Sequence, residues 1–232
     1  IQEVKANMAN SISSRAPSLS ALAAAKSFRP EKNGFLDEVG GAIFEEYILK
    51  NDLKAETMTP QMKELLTEVF NQNRLYLVSI TATEGSLPTL QKEVQDFKAS
   101  LPTVESKDQV WAFNTQPQYE AFAIPGEVQY VAQVASYENT DLKYNGAMDV
   151  YTRYLNNHYM TPQLREQAGA YGGGSYFSQT GQFTMSTYRD PNLKRSFDIF
   201  DKALSFMNKQ ELSQDTLLPA ILGSLKPYYR DK

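Results

Sequence analysis

The sequence predicts an α+β fold, with a mostly antiparallel sheet and helices layered on it. Three observations carry that prediction. Apolar residues recur at helical spacing along most of the 232 residues. Strand-like runs are few and short, and two of them flank Thr180-Gly181 as the arms of a hairpin do. The order reads helices, one strand, a helix, a linker, two strands, helices, a hairpin and helices, which suits helices packed on an antiparallel sheet.

Residues 1–28 read as helical, with Ile1, Val4, Met8 and Ile12 in register and then the Ala-rich run Ala21–Ala25. Because that pattern starts at the first residue, the chain reads as a piece of a longer protein. Pro30 and Asn33-Gly34 mark residues 29–34 as a loop. Residues 35–49 follow as an amphipathic helix, with Val39, Ile43, Phe44 and Tyr47 on its inner side. Thr59-Pro60 reads as a helix start, Thr as cap and Pro at the first position. Met62, Leu65, Leu66, Val69 and Phe70 then carry a buried stripe to Asn71. Residues 75–81 have the composition of a strand. Gly85 to Pro88 punctuate, and Leu90, Val94, Phe97 and Leu101 form the next helical stripe.

Residues 102–118 are polar, aperiodic and contain two prolines, so they read as a linker, into which Trp111 and Phe113 bring docking side chains. Short strands are expected at 119–124 and 128–137, with a turn at Pro125-Gly126. A helix is expected over 147–158, and Thr161-Pro162 starts another. Two strand-like runs lie within 176–188. Asp190-Pro191 opens a helix bearing Leu193, Phe197, Phe200 and Leu204. The last helix runs from about Ser213 to Leu222 and crosses Pro219. The domain organisation read from this is 1–102, a linker over 103–118, and 119–232. No internal repeat or low-complexity tract is present.

Composition narrows the function classes. Hydrophobic residues make up 41% and charged residues 22%, enough for a core of real size. The net charge is −4 and Lys and Arg are not clustered, which argues against a nucleic-acid footprint. No apolar run reaches the roughly 20 residues of a membrane-spanning helix. Cysteine is absent, which excludes disulfides, thiol nucleophiles and Cys-ligated zinc. The single histidine, His158, cannot by itself build a catalytic zinc site of the usual two or more His ligands. A Ser-His-Asp triad would have to use His158, and no Gly-x-Ser-x-Gly elbow exists.

Four places could carry chemistry. His158 could act as a general base or a lone ligand, but near a helix C-terminus it reads as a surface or capping residue. Glu45 and Glu46 point about 100° apart on a helix, so they read as a solvated face and not as an acid and base pair. Asp190 suits a capping role before Pro191, and Arg189 beside it could reach a ligand. The richest segment is Leu164-Arg165-Glu166-Gln167-Ala168-Gly169-Ala170-Tyr171-Gly172-Gly173-Gly174. It fits neither the phosphate-loop pattern, lacking Gly-Lys-Ser/Thr, nor the dinucleotide fingerprint, since a helix precedes it. Arg165 offers a planar donor fork that stays charged, and Tyr171 offers a hydroxyl donor. Set beside a backbone without side chains, these donors suit the carbonyl oxygens of an extended peptide, including a developing oxyanion.

That segment, followed by Tyr188-Arg189-Asp190-Pro191-Asn192, resembles the C-terminal half of the pitrilysin/insulinase zinc peptidases, in their presequence-protease (falcilysin-like) branch. Val69-Phe70 with residues 75–81 resembles the helix and strand closing that family's third domain, and residues 92–102 resemble the segment after it. The resemblance implies a clamshell of two halves that degrades unstructured peptides in a closed chamber. The N-terminal half carries an inverted His-x-x-Glu-His zinc motif whose Glu activates water. The C-terminal half closes over the substrate and binds no zinc. Carried onto this sequence, Arg165, Tyr171, Gly172 and Gly173 contact the peptide, with Tyr171 a donor to the substrate carbonyl near the scissile bond. Residues 1–102 correspond to the end of the third domain and 119–232 to most of the fourth, and the family continues beyond Pro227-Tyr228-Tyr229. No His-x-x-Glu-His occurs here, so zinc and general base belong to an N-terminal half of the same polypeptide. This chain alone is expected to bind no metal and to be inactive. Two alternatives from other classes remain: a non-catalytic scaffold relative, and a stand-alone peptide-binding module working by strand addition. The expected partner is a peptide, with neither nucleic acid nor membrane, and cytoplasm and organelle matrix are both open as compartments.

Overall fold

A computed structural model describes residues 1–105, 110, 112 and 119–229. The docking expected of Trp111 and Phe113 therefore lies outside the described residues. The chain forms two compact units, one of residues 1–2 and 51–111, the other of 3–50 and 112–232.

The first unit holds α4 (Ala55–Val69) and α5 (Leu87–Ser100); helices α1 (Gln2–Ala25), α2 (Phe35–Gly40) and α3 (Ala42–Lys50) precede them in the chain. Helix α4 begins at Ala55, ahead of the expected Thr59-Pro60 start, and Pro60 lies inside it. Pro60 has no N–H to donate, so the helix spans it with one backbone bond fewer. The expected buried stripe is not buried: Met62, Leu65, Leu66 and Val69 are 49–59% exposed. The expected strand at 75–81 also fails to form. Its backbone is extended but unpaired, and Leu75 and Leu77 are almost fully exposed. A strand needs a neighbour for its N–H and C=O groups, and no described segment supplies one. The ends of α4 and α5 are clipped together by polar side chains. Gln72 Nε2 donates to the carbonyls of Leu101 (2.7 Å) and Ala99 (3.0 Å), and Asn73 Nδ2 donates to that of Val104 (2.8 Å).

The second unit starts with α1 (Gln2–Ala25), which runs through Pro17. Residues 30–34, expected as a loop, form one wide π-type turn. The single helix expected over 35–49 is broken into α2 (Phe35–Gly40) and α3 (Ala42–Lys50). The break at Gly41 has a local cause. The fully buried Asp37 turns back to accept the N–H of Ala42 at 2.9 Å, and a Cβ on Gly41 would lie 2.2 Å from the Asp37 carboxylate. Lys26 neutralises Asp37 at 3.3 Å and also pairs with Glu120. The inner side expected of Val39, Ile43 and Tyr47 is exposed instead. Glu45, expected on a solvated face, is buried and ion-paired with Arg15, while Glu46 stays outside and pairs with Lys50. Burial of a charge requires such a partner, and α1 supplies it.

The sheet lies in the C-terminal part of this unit. Strands β1 (Ala132–Ser136), β2 (Gly172–Phe177) and β3 (Gln182–Tyr188) pair antiparallel in the order β1-β3-β2. The hairpin closes through Gly181 at φ +89°, as Thr180-Gly181 predicted. No strand forms at 119–124, and the one expected over 128–137 is shorter. Helix α6 (Gly146–Leu155), capped by Asn145, continues without a break into two π-wound stretches, Asn156–Met160 and Pro162–Gln167. Helix α7 (Leu193–Met207) and helix α8 (Gln214–Leu225) follow; a capping box of Ser213 and Thr216 starts α8. Leu155, Met160, Leu164 and Phe200 are fully buried and centre the core, with Ile199, Ala203 and Met207 around them. Leu193 and Leu204 of the expected α7 stripe are exposed instead. No helix among the described residues is long and apolar enough to cross a membrane.

Candidate functional site

The Arg165–Gly174 segment folds as a turn between the second π-wound stretch and β2. Leu164, Ala168 and Ala170 are buried and anchor it, which leaves Arg165 on the outer side. The turn closes on its own carbonyls: Ala170 N–H donates to Leu164 at 2.9 Å and Gly169 N–H to Arg165 at 3.3 Å. Gly169 takes φ +81°, which L side chains rarely adopt, and Asn192 Nδ2 secures the Ala168 carbonyl at 2.6 Å.

Tyr171 then enters the sheet, its N–H donating to the Arg189 carbonyl at 3.3 Å. Arg189 sits at φ +49°. Ala132 pairs with Ser186, whereas Gln129 bridges Asp190, so the β3 side carries one extra residue between them. This is a β-bulge, which re-aims the backbone at the sheet's end. Asp190 beyond it is fully buried and accepts from Asn192 N–H at 2.8 Å and from the Ser196 hydroxyl. Asp190 thus fixes the helix start from within, and Ser196 faces inward with it. The helix expected to open at Asp190-Pro191 starts later, at Leu193 with Asn192 as its N-cap, so Asp190 does not cap it but braces the turn before it; neither that nor the inward turn of Ser196 was legible in the sequence.

Side chains line up on this end. The Arg165 guanidinium lies over the Tyr171 ring at 5.9 Å, within cation–π range. The Tyr171 ring meets Tyr188 edge-on at 6.0 Å, and Tyr188 meets Tyr130 at 5.4 Å. Tyr171 is 67% exposed, and among the described residues neither its hydroxyl nor the Arg165 guanidinium is taken by another hydrogen bond or ion pair. A cleft of about 510 Å³ lined by Ile124, Pro125, Val128, Tyr130, Tyr188 and Arg189 opens beside this row. Tyr130 and the cleft have no signal in the sequence, because they arise from pairing across the sheet.

The three glycines separate in role. A Cβ on Gly173 would stand 2.6 Å from Leu164 Cδ1 and 2.9 Å from the Ser186 carbonyl, so packing requires glycine there. One on Gly174 would come within 3.2–3.3 Å of the Asn156 amide. Gly172 meets nothing closer than Tyr188 Cβ at 3.9 Å. His158 is exposed, its ring 4.3 Å from that of Tyr154, within a π-wound stretch that runs on and not at a helix end. Among the described residues, no group of three or more His, Cys, Asp or Glu side chains could hold a metal ion.

Residues 119–228, which hold the sheet, the bulge and the Arg165–Tyr171 pair, match the family model of the PreP C-terminal domain. Residues 119–228 of the chain are of the PreP C-terminal domain family. Presequence protease 1 of Arabidopsis thaliana is 30% identical over 195 residues, which is 82% of this chain and 18% of that protein. The mitochondrial presequence protease of Yarrowia lipolytica is 25% identical over 230 residues, 94% of this chain and 23% of its own length. Protein HypA of Clostridium perfringens is 22% identical over 204 residues, 87% and 21%. The chain therefore spans about a fifth of these relatives, and the PreP C-terminal domain accounts for its second half.

Proposed function

We propose that this chain is the substrate-holding C-terminal part of a peptidase that degrades unstructured peptides. Its residues 1–102 are the end of a third domain, and 119–232 are most of a fourth. The observation that carries this reading is the free Arg165–Tyr171 pair at the start of β2, an edge strand of the sheet. Arg165 binds a peptide carbonyl through its donor fork. The Tyr171 hydroxyl donates to the carbonyl oxygen of the bond being cleaved, and this hydrogen bond strengthens as negative charge develops on that oxygen. The aromatic row and the bulge keep both side chains in place without using their polar ends. Gly172 leaves room for a peptide backbone beside Tyr171. The residues here do not fit a zinc site, so the metal and the water-activating Glu lie in another part of the full-length protein, and this chain alone hydrolyses nothing. The kinship with presequence proteases supports the reading, since the free pair falls within the matched domain.

The test is substitution in the full-length protein. Removing one oriented oxyanion donor typically costs ~2.7–4 kcal/mol. Tyr171→Phe is therefore expected to lower turnover of an unstructured peptide by about two orders of magnitude by that estimate. Arg165→Ala is expected to act mainly on KM. Near-normal turnover by Tyr171→Phe overturns the assigned role. Retained peptide binding without any turnover in the unmodified full-length protein favours the scaffold or binding-module alternative.

A further inference from the structure

The outer edge of β2 is not uniformly open. In an antiparallel ladder, successive residues direct their N–H and C=O groups alternately toward the neighbour and away from it. Thr187 donates its N–H to Val131 at 2.8 Å, on the β1 side of β3. Gly173, paired opposite Thr187, therefore turns its own N–H and C=O away from β3, and two residues on Ser175 does the same opposite Met185.

The outward groups of Ser175 are already taken. Ser175 N–H donates to Asn156 Oδ1 at 2.7 Å, and Asn156 Nδ2 donates to the Ser175 carbonyl at 2.9 Å. The Ser175 hydroxyl donates to the same Oδ1 at 2.9 Å. One side-chain amide thus presents to the edge the donor and acceptor that a peptide unit of a further strand would present. Gly173 has no such partner among the described residues, and Tyr171 N–H is held by Arg189. The outward pairs left on β2 are that of Gly173, next to Tyr171 and across the turn from Arg165, and that of Phe177 on the far side of the closed Ser175.

We infer that Asn156 is a positioning residue that stops an added extended peptide at Gly173 and so fixes its register against Arg165 and Tyr171. This rests on the peptide-holding reading above. Outward groups recur every second residue, roughly 7 Å apart. A peptide free to pair at both Gly173 and Ser175 could slide by that step and still satisfy its backbone. With Ser175 closed, sliding costs it both hydrogen bonds.

Residue-resolved amide exchange by NMR on the 232-residue chain tests this, with acetyl-Lys-Thr-Val-Thr-Val-Lys-amide as the probe. In the unmodified chain Ser175 N–H is expected to be protected without peptide and Gly173 N–H to gain protection when peptide is added. In Asn156→Ala, Ser175 N–H is expected to exchange roughly tenfold faster, and peptide then protects both amides. Asn156→Gln keeps the polarity but displaces the amide by one methylene. It is expected to behave like Asn156→Ala and serves if that variant does not fold. Peptide that slows both amides with Asn156 intact, or a Ser175 amide that exchanges as fast as that of Gly173, overturns the role of Asn156. If Gly173 responds to peptide but Ser175 is unaltered in both variants, only the register stop falls. If peptide slows neither amide in any variant, the peptide-holding reading falls and the register stop with it.

Discussion

Helices α4 and α7 each have 15 residues and each carries an apolar stripe of helical period. Along α4, Met62, Leu65, Leu66 and Val69 stay about half exposed, and no residue of the helix is buried. Along α7, Ile199, Phe200, Ala203 and Met207 are buried among Leu155, Met160 and Leu164. The difference lies in what each helix faces. Helix α7 has the sheet and the π-wound continuation of α6 to cover it. Helix α4 has only α5 and an unpaired extended segment in its unit. An amphipathic pattern selects which face of a helix seeks burial, but burial and its stabilisation come from the partner surface.

Three measurements sharpen or break this contrast. The largest effect is expected at Phe200, fully buried in the α7 core. Phe200→Ala should lower the unfolding free energy by about 3–5 kcal/mol, through lost burial and the cavity left behind. A loss as small as that of a surface change, read from urea denaturation, would mean that the second unit has no fixed core. An intermediate effect is expected at Tyr159, whose buried hydroxyl donates to the Ile199 carbonyl at 2.9 Å. Burial raises the Tyr159 pKa above its ordinary value, and it does the same to Tyr151. The folded state therefore favours the neutral phenol. This stabilisation is full below the ordinary tyrosine value near 10 and is lost as pH rises through the higher folded value. Tyr159→Phe should flatten the fall in urea midpoint over that alkaline range. An unchanged slope would place the effect elsewhere. The smallest effect is expected at Leu65, 59% exposed on α4. Leu65→Ser should change stability by no more than about 0.5 kcal/mol. A cost of several kcal/mol in the isolated chain would show that the α4 stripe is buried after all.

The same physics explains which parts of the fold were legible in the sequence. The α6 and α8 helices and the hairpin at Thr180-Gly181 follow from local signals, because caps, turns and left-handed glycines act within a few residues. The strand expected at 75–81 has the right composition but fails because no described segment pairs with it. Glu45 was misplaced because Arg15, 30 positions earlier, supplies the charge that permits burial. The single helix expected over 35–49 fails through the competing backbone bond made by Asp37. At the candidate site, Arg165 and Tyr171 were legible as donors beside a bare backbone. That Gly173 is glycine for the sake of Leu164 could not be seen without the packing.

Sequence alone determined the α+β class, the absence of thiol chemistry, the single histidine and the Arg165–Tyr171–Gly segment, together with the peptidase family it resembles. Tertiary structure decided that Arg165 stacks on Tyr171, that a bulge at Arg189 sets the end of the sheet, and that Asn156 closes the β2 edge at Ser175. The reason is range. Composition and local spacing act along the chain, whereas strand parity, ring stacking and buried ion pairs join residues that meet only once the chain has folded.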